Sequence, residues 1–149
     1  MRSATRSDPL SATRLKGLIG LAFALWSLSG STQELIANGG TDVEQLSRNA
    51  ARLYLTMRIK NWPDGTAVKL FVLPDDDELH ERFTNTVLGL YPYQLRRVWD
   101  RQIFSGTGQA PVTVLSPQEM IQRVASTPGA LGYAETRATD PAIRVIEVR

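Results

Sequence analysis

Four consecutive carboxylates, Asp75, Asp76, Asp77 and Glu78, stand just ahead of the chain's single histidine, His80. Hard oxygen donors of this kind suit calcium or magnesium. The spacing matches no calcium loop, however, and consecutive residues entering a helix point in different directions. Carboxylates in a first helical turn gain about 0.3–1 kcal/mol each from the helix dipole when exposed, so the run needs no metal to explain it. No metal is expected. With no second histidine, His80 reads as a surface residue beside Glu81, opposite the apolar stripe of Leu79 and Phe83. Arg96, Arg97 and Arg101 could form an anion patch, with Arg97 and Arg101 one turn apart, but Asp100 among them favours a solvated helix face. Ser105-Gly-Thr-Gly-Gln-Ala-Pro111 looks superficially like a phosphate-cradling loop. It follows a helix rather than a strand, and Pro111 stands where a dinucleotide fingerprint needs its third glycine, so it reads as a connector. No lysine completes a P-loop and no G-x-S-x-G elbow occurs. The chain has no cysteine, which excludes thiol catalysis, disulfides and thiolate metal sites. With no nucleophile beside an identifiable base, the chain is expected to be non-enzymatic and to need no cofactor.

The elements that would position these residues follow from apolar spacing. At 149 residues, 42% apolar and 21% charged, the chain is one ordinary soluble domain with a real core. Residues 32–40 suggest a short strand ending in a glycine turn. Leu46, Ala50, Leu53, Tyr54 and Met57 recur at helical steps and predict a helix over about 43–57. Asn61, Pro63, Asp64 and Gly65 form a turn around Trp62. The nearly continuous apolar run Thr66–Leu73 predicts a central strand covered on both faces. Leu79, Phe83 and Val87 define the next helix, and Leu95, Val98, Trp99 and Ile103 another that opens at Pro92. Pro111–Leu115 reads as a strand. Ser116 to Glu119 is a capping box for a helix reaching about Ser126. Ala130–Glu135 and the alternating Ile143–Val148 are strands, the last placed on an edge because its alternate residues are charged. The order predicts an α/β fold in which helices flank a mixed sheet.

The amino end reads differently. Arg2, Arg6, Arg14 and Lys16 precede an uncharged run from Gly17 to Leu28, and small residues follow. This is the pattern of a secretory signal peptide over 1–31, leaving residues 32–149 as the domain. The run is too short for a bilayer span, which needs about 20 apolar residues. A retained amphiphilic anchor or a buried helix is the alternative. Of 17 basic and 15 acidic residues, residues 1–31 hold four basic and one acidic, so the remainder carries a net charge of minus one. A nearly neutral domain directed to the periplasm gives no reason to expect a nucleic-acid partner.

Trp62-Pro-Asp-Gly65, the strand ending at Leu73, Phe83, Trp99, Phe104 with Gly106 and Pro111, and above all Thr127-Pro-Gly-Ala-Leu-Gly-Tyr133 carry a resemblance. Over residues 43–148 the chain resembles the phosphate ABC transporter substrate-binding proteins, of the type II periplasmic binding fold. The resemblance implies that fold, a periplasmic location and a small phosphate-like anion as ligand, whereas the 118 residues left after the signal supply only one lobe of it. In that family Ser-Gly-Thr at a helix N-terminus holds the anion; counted back from Phe83, the same slot here holds Asp77-Glu78-Leu79. It therefore points to Asp76, Asp77, Glu78 and His80 as the residues at the ligand position. Carboxylates there would take the helix amides themselves and repel a second anion, so weak or lost phosphate binding is expected. An envelope protein-interaction module that uses the same fold without a small ligand is the alternative.

Overall fold

The computed structural model describes residues 33–135 and 140–149. The expected signal peptide over 1–31 lies outside the described residues.

Strand β1, Glu34–Asn38, buries Leu35, Ile36 and Ala37 and ends where Asn38 Oδ1 accepts the Gly40 N–H. Strand β2, Gln45–Leu46, and helix α1, Arg48–Leu55, follow. The helix begins later than its spacing predicts. Ser47 caps it, its hydroxyl accepting from Ala50 N at 3.1 Å, while the backbone before it pairs with the carboxyl-terminal strand. Its buried face is accordingly Ala51, Tyr54 and Leu55, with Leu46 on the sheet.

Strand β3, Lys69–Val72, keeps only the interior of the apolar run, with Leu70 to Leu73 buried. Helix α2, Glu78–Phe83, passes into a single π-helical stretch, Thr84–Leu88. The wider π turn carries the inward face one residue further, so Leu88 rather than Val87 completes the buried stripe. Gly89, in the left-handed region, closes it. Helix α3, Pro92–Phe104, buries Leu95 and Trp99. Near its end the inward position belongs to Gln102, whose amide donates to the Thr56 carbonyl, and Ile103 is exposed.

Strand β4, Val112–Thr113, leads to helix α4, Pro117–Ser126, which buries Met120 and Val124. The predicted capping box forms one residue wider than usual. Ser116 Oγ accepts from Glu119 N at 3.1 Å, while the Glu119 carboxylate reaches back to Leu115 N at 2.9 Å. Strands β5, Ala130–Ala134, and β6, Ile143–Val148, complete the chain.

The strands form one mixed sheet in the order β2-β6-β1-β5-β3-β4. Strand β1 runs antiparallel to both β5 and β6, whereas β3 is parallel to β5 and β4. The last strand is therefore not an edge: the two residues of β2 cover its outer side. Alternation along β5 assigns the layers. Gly132 faces Met120 and Val124 of α4, and Tyr133, on the opposite face, stacks on Phe83 of α2 with ring centroids 4.2 Å apart. Helices thus cover both faces of the sheet, as the sequence predicts.

Gly129 turns the chain from α4 into β5 at a φ of +77°, and a Cβ placed there would lie 2.2 Å from the Ala67 carbonyl oxygen. A Cβ at Gly132 would instead meet the flexible end of Met120, at 2.6 Å. Gly129→Ala is expected to cost more than about 2 kcal/mol, since strain and backbone collision add, and Gly132→Ala less; chemical denaturation of both variants measures the difference.

Candidate functional site

The carboxyl end of β3 delivers Pro74 and the acidic run to the start of α2. Asp77 is the N-cap: its Oδ1 accepts from Leu79 N at 2.8 Å and from His80 N at 3.3 Å. One carboxylate thus occupies the amides that open the helix, the behaviour of aspartate at an N-cap. Glu78 points outward and lies 3.4 Å from Arg82, which also binds Glu135 at 2.8 Å. Asp76 is exposed. Of the residues singled out by sequence, Asp77 and His80 are brought together, while Asp76 and Glu78 face solvent.

His80 is buried with no exposed surface, which overturns its expected surface position. The short helix turns Leu79, His80 and Phe83 inward together, and burial of the imidazole is tolerated because Tyr133 supplies a partner. The Tyr133 hydroxyl accepts the Leu73 N–H at 2.8 Å and lies 2.5 Å from His80 Nδ1. Its own proton has that nitrogen to go to, so Nδ1 accepts and the imidazole proton sits on Nε2. Nε2 has no hydrogen-bond partner among the described residues, and the nearest carboxylate oxygen, Asp75 Oδ1, is 3.8 Å away. Asp75 is itself held by Arg96 through two bonds of 3.0 and 2.7 Å, and the Arg96 guanidinium lies over the Trp99 ring at 5.2 Å.

The electrostatics follow from this arrangement. Burial holds the His80 imidazole below its ordinary pKa, against the opposing pull of Asp75. The Arg96 hydrogen bonds keep the Asp75 carboxyl below its usual range, and burial pushes the Tyr133 phenol well up, so the hydroxyl remains a donor. Sequence reasoning placed Arg96 on a solvated face and met Tyr133 only inside a motif string. The available signal was Tyr133 itself, a phenol flanked by apolar residues on an interior strand and hence in need of a buried partner.

The pairings leave little for a ligand. Arg96 is matched by Asp75, the first amides of α2 by Asp77, and a neutral imidazole faces inward. Among the described residues no group of three or more histidine, aspartate or glutamate side chains is placed to hold a metal. No described helix is long and apolar enough to cross a membrane.

No protein-family model matches the sequence, and no curated protein matches it. Solved structures do, and they define the class of fold: that of the substrate-binding proteins of phosphate ABC transporters. A phosphate ABC transporter substrate-binding protein with bound phosphate from Clostridium perfringens superposes with a TM-score of 0.61 at 17% identity, over 78% of this chain and 44% of that one. An ABC-type phosphate transport receptor from Vibrio cholerae gives 0.60 at 14%, over 78% and 45%. PstS from Borrelia burgdorferi gives 0.61 at 13%, over 78% and 47%. The chain spans less than half the length of each, and at these identities the match establishes the fold alone.

The His80 environment makes a pH prediction. Between its lowered folded value and its ordinary 6.5, the unfolded chain binds more protons than the folded one, so stability rises with pH. It is complete above 6.5 and is lost on acidification through that window; Asp75 adds a loss of the same sign only below its ordinary 3.8. Thermal melting from pH 8 to pH 4.5 is expected to show the first decline in the wild type and not in His80→Gln.

Proposed function

We propose that this chain is a periplasmic, non-enzymatic binding-protein-like domain related to the phosphate ABC transporter substrate-binding proteins, with weak or lost phosphate binding. Export by a cleaved signal over residues 1–31 belongs to the same reading. The fold supports the relationship, and the observation that carries the weak affinity is the Asp77 carboxylate on the Leu79 and His80 amides. An incoming phosphate would have to displace that carboxylate and settle among Asp75, Asp76 and Glu78. Each like-charge pair at 4 Å costs about 1 kcal/mol in bulk water and several-fold more where solvent is partly excluded. Arg96 offers little net positive charge in return, because the Asp75 carboxylate already pairs with it through Nε and Nη2.

A second reading has an observation in its favour. Tyr91 and Tyr93 stack with centroids 5.9 Å apart while remaining 56% and 59% exposed. Aromatic surface of this kind suits an envelope protein partner met through the α3 entrance. Trp62, the aromatic of the turn before β3, is buried and contributes nothing to such a face.

Isothermal titration of the full chain with inorganic phosphate distinguishes the readings. The expected result is no saturable heat below about 1 mM, with a gain of at least about tenfold in Asp77→Ser, which keeps a cap and removes the charge. Micromolar binding by the wild type would overturn the weak-affinity reading. Tyr91→Ser with Tyr93→Ser is expected to shift stability by no more than about 0.5 kcal/mol, as for surface positions held free for a partner.

A further inference from the structure

At the opposite end of β3 from Asp75 and His80, two open grooves meet at Met57. One, of about 340 Å³, has a floor of Tyr54, Met57, Ile59, Val68 and Leu70. The other, of about 330 Å³, is bounded by Met57, Arg58, Val98 and Arg101. Lys60 and Thr107 belong to both.

Two independent features set this place apart. The first is charge. Arg58, Lys60 and Arg101 converge on the paired grooves, and neither groove has a carboxylate among its lining residues. No ion pair joins any of the three cations to a described carboxylate. Lys60 donates to the Thr107 carbonyl across the rim, which leaves further N–H donors on the ammonium. Complementing the carboxyl ends of α1 and α3 would account for cations here, but not for where the apolar surface lies.

The second feature is Met57. It is the non-glycine residue with positive φ among those described, at +57°. It closes α1, donating to the Tyr54 carbonyl at 2.9 Å while Arg58 donates to Leu53 at 2.9 Å, a helix ending that ordinarily takes glycine. A methionine held there instead places an unbranched, adaptable thioether in the wall of both grooves. The floor beside it is rigid: Tyr54 stacks on Trp62 at 4.8 Å, and Trp62 Nε1 donates to the Gly129 carbonyl at 3.0 Å.

We propose that the paired grooves bind a small amphiphilic anion, an alkyl or aryl chain ending in a carboxylate. The chain lies over Tyr54, Ile59 and Val68, and the carboxylate is taken by Lys60 and Arg101. The site shares no residue with the start of α2, so it stands whether or not phosphate binds there.

Octanoate, octanol and phosphate titrated into the full chain test this, with calorimetry for affinity and the ¹³C-methyl signal of Met57 for location, the buried Met120 serving as internal control. Octanoate is expected to bind saturably and move the Met57 signal, with octanol at least about tenfold weaker because charge-assisted hydrogen bonds are lost. Lys60→Gln with Arg101→Gln is expected to bring octanoate down to the octanol level. Met57→Gly, which suits the backbone better, is expected to melt no lower than the wild type yet bind octanoate at least about fivefold more weakly. No saturable binding up to about 10 mM, equal affinity for octanol, or unchanged affinity in either variant overturns the proposal. Loss of phosphate affinity alone leaves these outcomes unmoved, which separates this site from the reading of α2.

Discussion

The Tyr133 hydroxyl ties helix α2 to two neighbouring strands of the sheet. It takes the backbone N–H of Leu73 just beyond β3, offers its proton to His80 of α2, and hangs from β5, beside β3 in the sheet. An unpaired buried imidazole would cost several kcal/mol, as would an unpaired buried phenol. Each cancels most of the other's penalty, and the geometry that does so fixes how α2 lies on the sheet. Phe83 stacking on the same ring adds contact to the direction set by the hydrogen bonds. Asp75 and Arg96 stand over the outer side of the imidazole and tie the loop before α2 to α3.

The architecture was legible because the strongest sequence signals are short-range. Ser116 followed by proline and then Glu119 fixes the start of α4, and the apolar run through Leu70 to Leu73 marks an interior strand. Errors arose where a tertiary partner overrode the local pattern. Residues 43–47 carry a helical spacing, yet Glu44 and Leu46 pair with β6, and nothing near them in sequence reveals that strand. The π turn after Phe83 moved the inward position from Val87 to Leu88, an insertion that a fixed period cannot anticipate. Charged alternation in β6 suggested an edge, but β2 covers it with only two residues, too few to leave a periodic signal.

The candidate site was half visible. Acidic residues before a helix predict a cap, and Asp77 supplies one. His80 was misplaced for a definite reason: burial of a histidine depends on a partner, and Tyr133 lies 53 residues away. Arg96 shows the same dependence, since its role is set by Asp75, 21 residues earlier. The convergence of Met57 with Lys60 and Arg101 was hidden too, because it requires knowing that α1 ends in a left-handed residue that is not glycine.

Strand β1 opens the described chain and lies in the middle of the sheet, with Glu34 opposite Ala134 and Leu35 opposite Ile146. Its hydrogen-bonding partners are therefore synthesised some hundred residues after it. Until they emerge, the buried Leu35, Ile36 and Ala37 of this strand have no neighbour on either side in the sheet. Such long-range closure slows folding, since loop entropy must be overcome before the contacts that reward it can form. Removing β1 would take from β5 and β6 the strand that pairs with both.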